Sequence, residues 1–238
     1  MLDDERFRPP LAPPEAVVAG AVGRVGEALL NALVASERYG KLHVLTRQTL
    51  VSAHRAVADW CVAGRLDHET LTLAPPPPVQ DAFLLVGGSR LHSARDRAAH
   101  MLNQHEVAPL AQVLASAGAR RLFLVCPVGP LTQMSAFQHF YAAEAMPQLI
   151  RLPFHQVAVL LPTDSAPAVT AHGWRRLLQI YLSQFQLLLP RSGQSFTPER
   201  FAEAVLAVAA EEKPGLSVHD ARALWHKLGV SRPPGSWW

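Results

Sequence analysis

Three glycines, Gly20, Gly23 and Gly26, stand at GxxGxxG spacing in the stretch Ala19-Gly20-Ala21-Val22-Gly23-Arg24-Val25-Gly26. Glycines so placed between a strand and a helix serve three ends: a tight turn, close approach of the backbone to a pyrophosphate, and close packing of helix on strand. The helix that follows offers unpaired N–H groups and the positive end of its dipole to phosphates. Roughly twenty residues past Gly26, Thr46-Arg47 ends a second apolar run. NAD-preferring sites usually carry an acid there for the ribose 2′-hydroxyl, and NADP-preferring ones an arginine for the 2′-phosphate. Arg47 therefore reads as a selector of NADP over NAD, with Arg24 as a second phosphate contact and the loop residues Val22 and Val25 lining the same turn.

The elements that must position these residues follow from the apolar pattern. Ala16–Ala19 reads as a strand and Glu27–Ser36 as a helix, with Ala28, Leu29, Leu33 and Val34 at helical spacing. Lys41–Thr46 reads as the second strand, Val51–Ala63 as a helix closed by Gly64, and Leu71–Ala74 as the third strand. Ala82–Val86, Arg121–Cys126 and Gln156–Leu161 read as further strands. Val107–Ala117 reads as a helix ended by Gly118, and Phe137–Met146 as a helix stopped at Pro147. Thr197-Pro198 starts a helix running to about Glu212, and Asp220–Leu228 is a last helix ended by Gly229. Short apolar strands with little alternation, set between helices, predict an α/β fold: a doubly wound parallel sheet of Rossmann type with a small C-terminal helical portion. Residues 1–15 read as a flexible lead-in, 16–230 as one domain with 163–230 its helical part, and 231–238 as a tail.

Composition narrows the class. The chain has 238 residues, 49% of them hydrophobic and 17% charged, enough apolar material for a core and too little charge for a disordered chain. The net charge is +3 and the arginines are dispersed, which argues against nucleic acid as a partner. Cys61 and Cys126 stand far apart without a CxxC, so neither a disulfide framework nor a zinc site is expected, and His92, His100 and His105 lack ligand spacing and read as solvated. No metal is expected. The lead-in carries acids and prolines where a signal peptide needs an apolar run, and no stretch is long and apolar enough to span a bilayer, so a cytoplasmic setting is expected.

From about Ala16 to Gly229 the chain resembles the atypical short-chain dehydrogenase/reductases, the group with NmrA-like members. The resemblance rests on the Gly20/Gly23/Gly26 loop, on Thr46-Arg47, on Val86-Gly87-Gly88-Ser89-Arg90, on Gly118, on Leu161-Pro162 and on the pattern from Phe196 to Gly229. It implies a nicotinamide cofactor, with Gly87, Gly88 and Ser89 beside its ribose and nicotinamide, and places Cys126 where the family has a serine. The third strand as read ends without the acid that relatives place near the adenine. The resemblance also implies a catalytic tyrosine with a lysine four residues on, which share one helix face. The basic residues include only three lysines, Lys41, Lys213 and Lys227, and four residues past Tyr39, Tyr141 and Tyr181 stand His43, Ala145 and Phe185.

No YxxxK exists in this chain. Alignment from Ser135 puts the dyad positions on His139 and Ala143, and counting back from Pro162 puts them on Gln138 and Ala142. His139 and Tyr141 are the remaining proton-donor candidates. They lie two residues apart, about 200° around a helix, so at most one faces the cofactor. Histidine titrates near ~6.5 and an unassisted tyrosine near ~10, which favours His139. The expected function is an NADP(H)-binding protein acting as a cofactor-responsive regulator or assembly factor. The alternative is an NADPH-dependent reductase of a small carbonyl or quinone with a substitute donor, and a third reading is a scaffold that has lost the cofactor. A small-molecule substrate, a protein partner and a homodimer all stay open at this point.

Overall fold

A central strand of a parallel sheet has backbone partners on both sides and apolar neighbours on both faces, and β1 (Glu15–Ala19) has both. It pairs with β2 (Lys41–Thr46) on one side and with β4 (Asp81–Leu85) on the other, Val17 lying between His43 and Ala82. The computed structural model describes residues 13–49, 54–87, 94–126, 145–162 and 196–230. Within them, seven strands form one parallel sheet in the order β3-β2-β1-β4-β5-β6-β7, completed by β3 (Val57–Cys61), β5 (Arg121–Val125), β6 (Gln156–Leu160) and β7 (Gly215–His219). The chain order reverses between β1 and β4, which opens a crevice at the C-terminal ends of those strands, the usual ligand position in doubly wound sheets.

Alternating side chains feed two cores. Val17, Leu45, Leu84 and Leu124 face one layer, with Leu71 of α2 (His68–Leu73), Leu110 and Leu114 of α4 (Gln104–Ser116) and Leu149 of α5 (Ala145–Arg151). Val18, Val44, Phe83 and Phe123 face the other, with Leu29 and Leu33 of α1 (Gly23–Ala35), Val205 of α6 (Pro198–Ala209) and Leu224 of α7 (Ala221–Lys227). Phe83 and Phe123 stack across β4 and β5 at 4.8 Å. The short α3 (Ala94–Ala98) precedes α4.

Several expectations are corrected. The stretch expected as a helix from Val51 holds β3, and the expected third strand Leu71–Ala74 falls on α2. Val57 and Trp60 repeat at helical spacing, but β2 offers a free edge, and pairing from Leu42↔Val57 to Thr46↔Cys61 decides the conformation. Leu71 and Leu73 alternate like a strand, yet Asp67 caps a helix there by accepting from Thr70 N–H at 2.9 Å. Gly64 has φ +100° in the loop after the strand, where a helix end was expected. Pro147, expected to end a helix begun at Phe137, lies within α5, and residues 137–144 of that expected helix lie outside the described residues. The C-terminal portion, expected to be helical, also supplies β7, which completes the edge beside β6.

At the N-terminal ends of β4 and β5, Asp81 is fully buried and accepts from Tyr39 Oη at 2.5 Å and from Arg121 Nε at 2.7 Å, with Arg121 Nη2 on its second oxygen. Arg121 Nη1 donates to Ala209 O at 3.0 Å, tying α6 to this cluster.

Candidate functional site

Gly20 leaves β1 with φ +75°, and a Cβ there would lie 2.1 Å from Leu85 O and 3.2 Å from Leu102 Cβ. Only glycine lets β1 turn this close to the end of β4. Gly23 opens α1 with φ +66°. A Cβ on Gly26 would lie 2.3 Å from Ala21 C, so the first turn of the helix is pressed onto the loop. Each of the three glycines thus has a demonstrable steric or backbone reason to be there. Val22, at the helix N-cap, supplies no side-chain cap, and the first turn carries no acid. Val22 is buried, Val25 half-buried and Arg24 exposed.

One amide of this helix start is nonetheless engaged from outside. Gly23 N–H donates to Asp96 Oδ1 at 3.0 Å, and Asp96, on α3, is buried. The chain after Asp96 crosses the C-terminal ends of β2 and β4. Ala99 bridges antiparallel to Thr46, Arg47 N–H donates to Ala98 O at 2.6 Å, and His100 N–H donates to Leu45 O at 3.3 Å. Leu102 then bridges to Val86 and accepts from Gly87 N–H at 3.2 Å. Residues 96–102 are a strap across the C-terminal ends of β2 and β4.

The arginine at the end of β2 is exposed and held from its side. Its Nε donates to His100 Nδ1 at 3.3 Å, and His100 Nε2 lies 2.6 Å from Val62 O. A carbonyl at that distance requires Nε2 to be the donor, so Nδ1 carries the lone pair that Arg47 uses. Burial holds the His100 imidazole below its ordinary range, and the charge of Arg47 acts in the same direction against the pull of the Val62 carbonyl and Glu106. Beside it, Thr46 Oγ1 is buried with no hydrogen-bond partner among the described residues.

The structure thus brings Gly20, Val22, Gly23, Arg24, Val25, Gly26, Thr46, Arg47 and Gly87 to the same end of neighbouring elements. Gly87 has φ +134°. Cys126 closes β5, donating its N–H to Leu160 O at 3.1 Å, and burial pushes its thiol up, so it is a packing residue and a poor nucleophile. Gly88, Ser89, His139 and Tyr141 lie outside the described residues. Tyr39 is bound to Asp81 at the opposite end of the sheet, and burial followed by the Asp81 charge pushes its phenol up. Of the histidines expected to be solvated, His105 is exposed but His100 is fully buried in the site. Its periodicity gave no hint of this, because the strap is irregular and its partners are strand ends remote in sequence. Asp96 was missed for the same reason. No cluster of three or more metal-ligating side chains occurs among the described residues, and no helix among them is long and apolar enough to cross a membrane.

Solved structures with this architecture include a short chain dehydrogenase from Burkholderia cenocepacia J2315 in complex with NADP, at 18% identity and a TM-score of 0.54 over 92% of this chain and 93% of that one. The Bordetella bronchiseptica enzyme WbmF in complex with NADH follows at 16% identity and a TM-score of 0.51, over 93% and 79% of the two chains. The fold is of Rossmann type. At these identities the likeness is one of fold alone. No family model matches the chain, and no curated protein matches it in sequence.

Proposed function

We propose that this chain binds NADP(H) at the C-terminal ends of β1, β2 and β4, and acts as a cofactor-responsive regulator or assembly factor rather than as a standard reductase. The observation that carries the reading is the glycine turn: a Cβ would fill the space at Gly20 and Gly26, and the turn delivers the start of a 13-residue helix to the crevice where the sheet order reverses. A dinucleotide's pyrophosphate is the ligand chemistry that such a turn suits. Arg47 would take the 2′-phosphate and Arg24 would add a second positive charge, while Gly87 leaves room for backbone approach. When bound, the cofactor supplies a hydride.

The chain's own residues do not complete a reductase dyad, since no tyrosine has a lysine four residues on. Tyr39 is committed to Asp81 at the far end of the sheet. A second reading, NADPH-dependent reduction of a small carbonyl or quinone, draws support from the fold shared with a dehydrogenase in complex with NADP. It would need His139 or another substitute donor.

Titration of the purified protein by intrinsic or cofactor fluorescence tests the first reading. Binding of NADPH in the micromolar range, tighter than NADH, is expected. Failure of both to bind below millimolar would overturn it, and turnover of NADPH with a carbonyl panel, lost in His139→Ala, would favour the second reading.

A further inference from the structure

We infer that His100 is a positioning residue that sets the phosphate preference of this site by holding Arg47, an inference that rests on Arg47 being the 2′-phosphate contact. A guanidinium has five N–H donors on a planar fork, and which edge faces a ligand depends on what holds the rest. Here the Nε–H is taken by His100 Nδ1 at 3.3 Å, which leaves the two terminal NH2 groups as a matched pair for a phosphate.

The imidazole is itself fixed. Its Nε2 donates to Val62 O at 2.6 Å, its main-chain N–H donates to Leu45 O at 3.3 Å, and it is fully buried. The main chain of Arg47 is fixed by the same strap, through its N–H on Ala98 O at 2.6 Å and the Thr46–Ala99 bridge. Arginine and histidine therefore cross-pin each other between the end of β2 and residues 98–100. An exposed arginine gives up much rotamer freedom when it grips a phosphate. With Nε already held, part of that loss has been taken on folding, and the benefit goes to a ligand bearing a 2′-phosphate but not to one bearing a 2′-hydroxyl. Only a neutral ring does this, because a proton on Nδ1 would set an N–H against the guanidinium.

The test is the ratio of dissociation constants for NADH and NADPH, repeated with 5′-AMP and 2′,5′-ADP. A structural defect in the pocket would weaken both members of each pair alike. His100→Ala is expected to weaken NADPH and 2′,5′-ADP about tenfold and leave NADH and 5′-AMP within twofold. His100→Gln, whose amide reaches Val62 O but offers no acceptor at the Nδ1 position, gives the same outcome should the alanine variant fail to fold. His100→Asn, with Oδ1 where Nδ1 stood, is expected to restore most of the preference. Equal weakening of both nucleotides, an unchanged ratio in the alanine and glutamine variants, or no rescue by asparagine would overturn the positioning role while the nucleotide site stands. A wild-type protein that does not discriminate, with Arg47→Ala without effect, would remove the Arg47 reading and this inference together. Binding of none of the four nucleotides would remove the nucleotide site as well.

Discussion

The two ends of the sheet treat their polar groups in opposite ways. At the N-terminal ends of the strands, Tyr39 and Arg121 both donate to the buried Asp81 carboxylate, and Arg121 Nη1 donates to Ala209 O. At the C-terminal ends, a glycine turn presents the start of α1, Arg47 is exposed and held by one nitrogen, and Thr46 Oγ1 is buried without a partner among the described residues. A buried charge is tolerated only when its partners stay in place, whereas an exposed guanidinium with N–H groups to spare and a buried hydroxyl without a partner leave hydrogen-bonding capacity for a ligand to use. The closed end serves the fold, and the open end is where the proposed dinucleotide would find its donors.

The largest expected effect strikes the closed end. Asp81→Ala leaves the Arg121 guanidinium with no carboxylate and Tyr39 with no acceptor, and removal of one partner of a buried pair typically destabilises by about 3–5 kcal/mol. Urea unfolding measures the loss, and below the midpoint the folded fraction should bind dinucleotide as the wild type does. A loss under about 1 kcal/mol would mean that the cluster does not anchor this end. Gly20→Ala tests whether the open end is free of structural duty. The new methyl would meet Leu85 O at 2.1 Å with φ at +75°, so about 2–4 kcal/mol of stability and nearly all nucleotide binding should go together. Gly118→Ala is the control: φ is +100° but nothing lies within 4 Å of the added Cβ, so only about 1 kcal/mol is expected.

Much of the open end was legible in the sequence. Glycine spacing is a local constraint, and Gly20, Gly23 and Gly26 each stand where a turn or a close contact demands them. β2 fell on Lys41–Thr46 as expected, which put Arg47 at a strand end. The edge of the sheet was not legible, because β3 is a strand through pairing with β2 and not through its own pattern, while α2 owes its existence to the Asp67 cap and the burial of Leu71. His100 and Asp96 were illegible for a related reason. Their partners, Val62 O and Gly23 N–H, are 38 and 73 residues away, and no periodicity encodes a side chain reaching across strand ends.

A third residue blurs the division. His219 ends β7 at the C-terminal end of the sheet yet is buried like a residue of the closed end, its Nε2 3.1 Å from Ser217 Oγ. Burial, reinforced by Lys227 and Lys213 against the opposing Glu211, lowers it to about 4 from an ordinary 6.5. The unfolded chain therefore takes up the proton first. Stability is full above pH about 6.5, falls as the pH drops, and has lost about 2–3 kcal/mol from this group by pH about 4. Thermal melts across that window should be flatter in His219→Gln, and an identical slope would assign the acid sensitivity elsewhere.

The smallest effect is the most informative about how open the open end is. Asp96 accepts from Gly23 N–H at 3.0 Å at the start of α1, so a negative charge already stands where an incoming pyrophosphate would be drawn. Asp96→Asn preserves an oxygen for that N–H and removes the charge. It should lower stability by up to about 2 kcal/mol, the size of a helix-dipole contact in a buried setting. Dinucleotide affinity should rise severalfold, with the gain shrinking in high salt as two unit charges a few ångströms apart are screened. An affinity that falls instead would make the carboxylate a support for the turn, with Asp96 then belonging with Asp81 to the closed kind of polar group: a charge the fold keeps for itself at the one place where it was expected to lend its donors out.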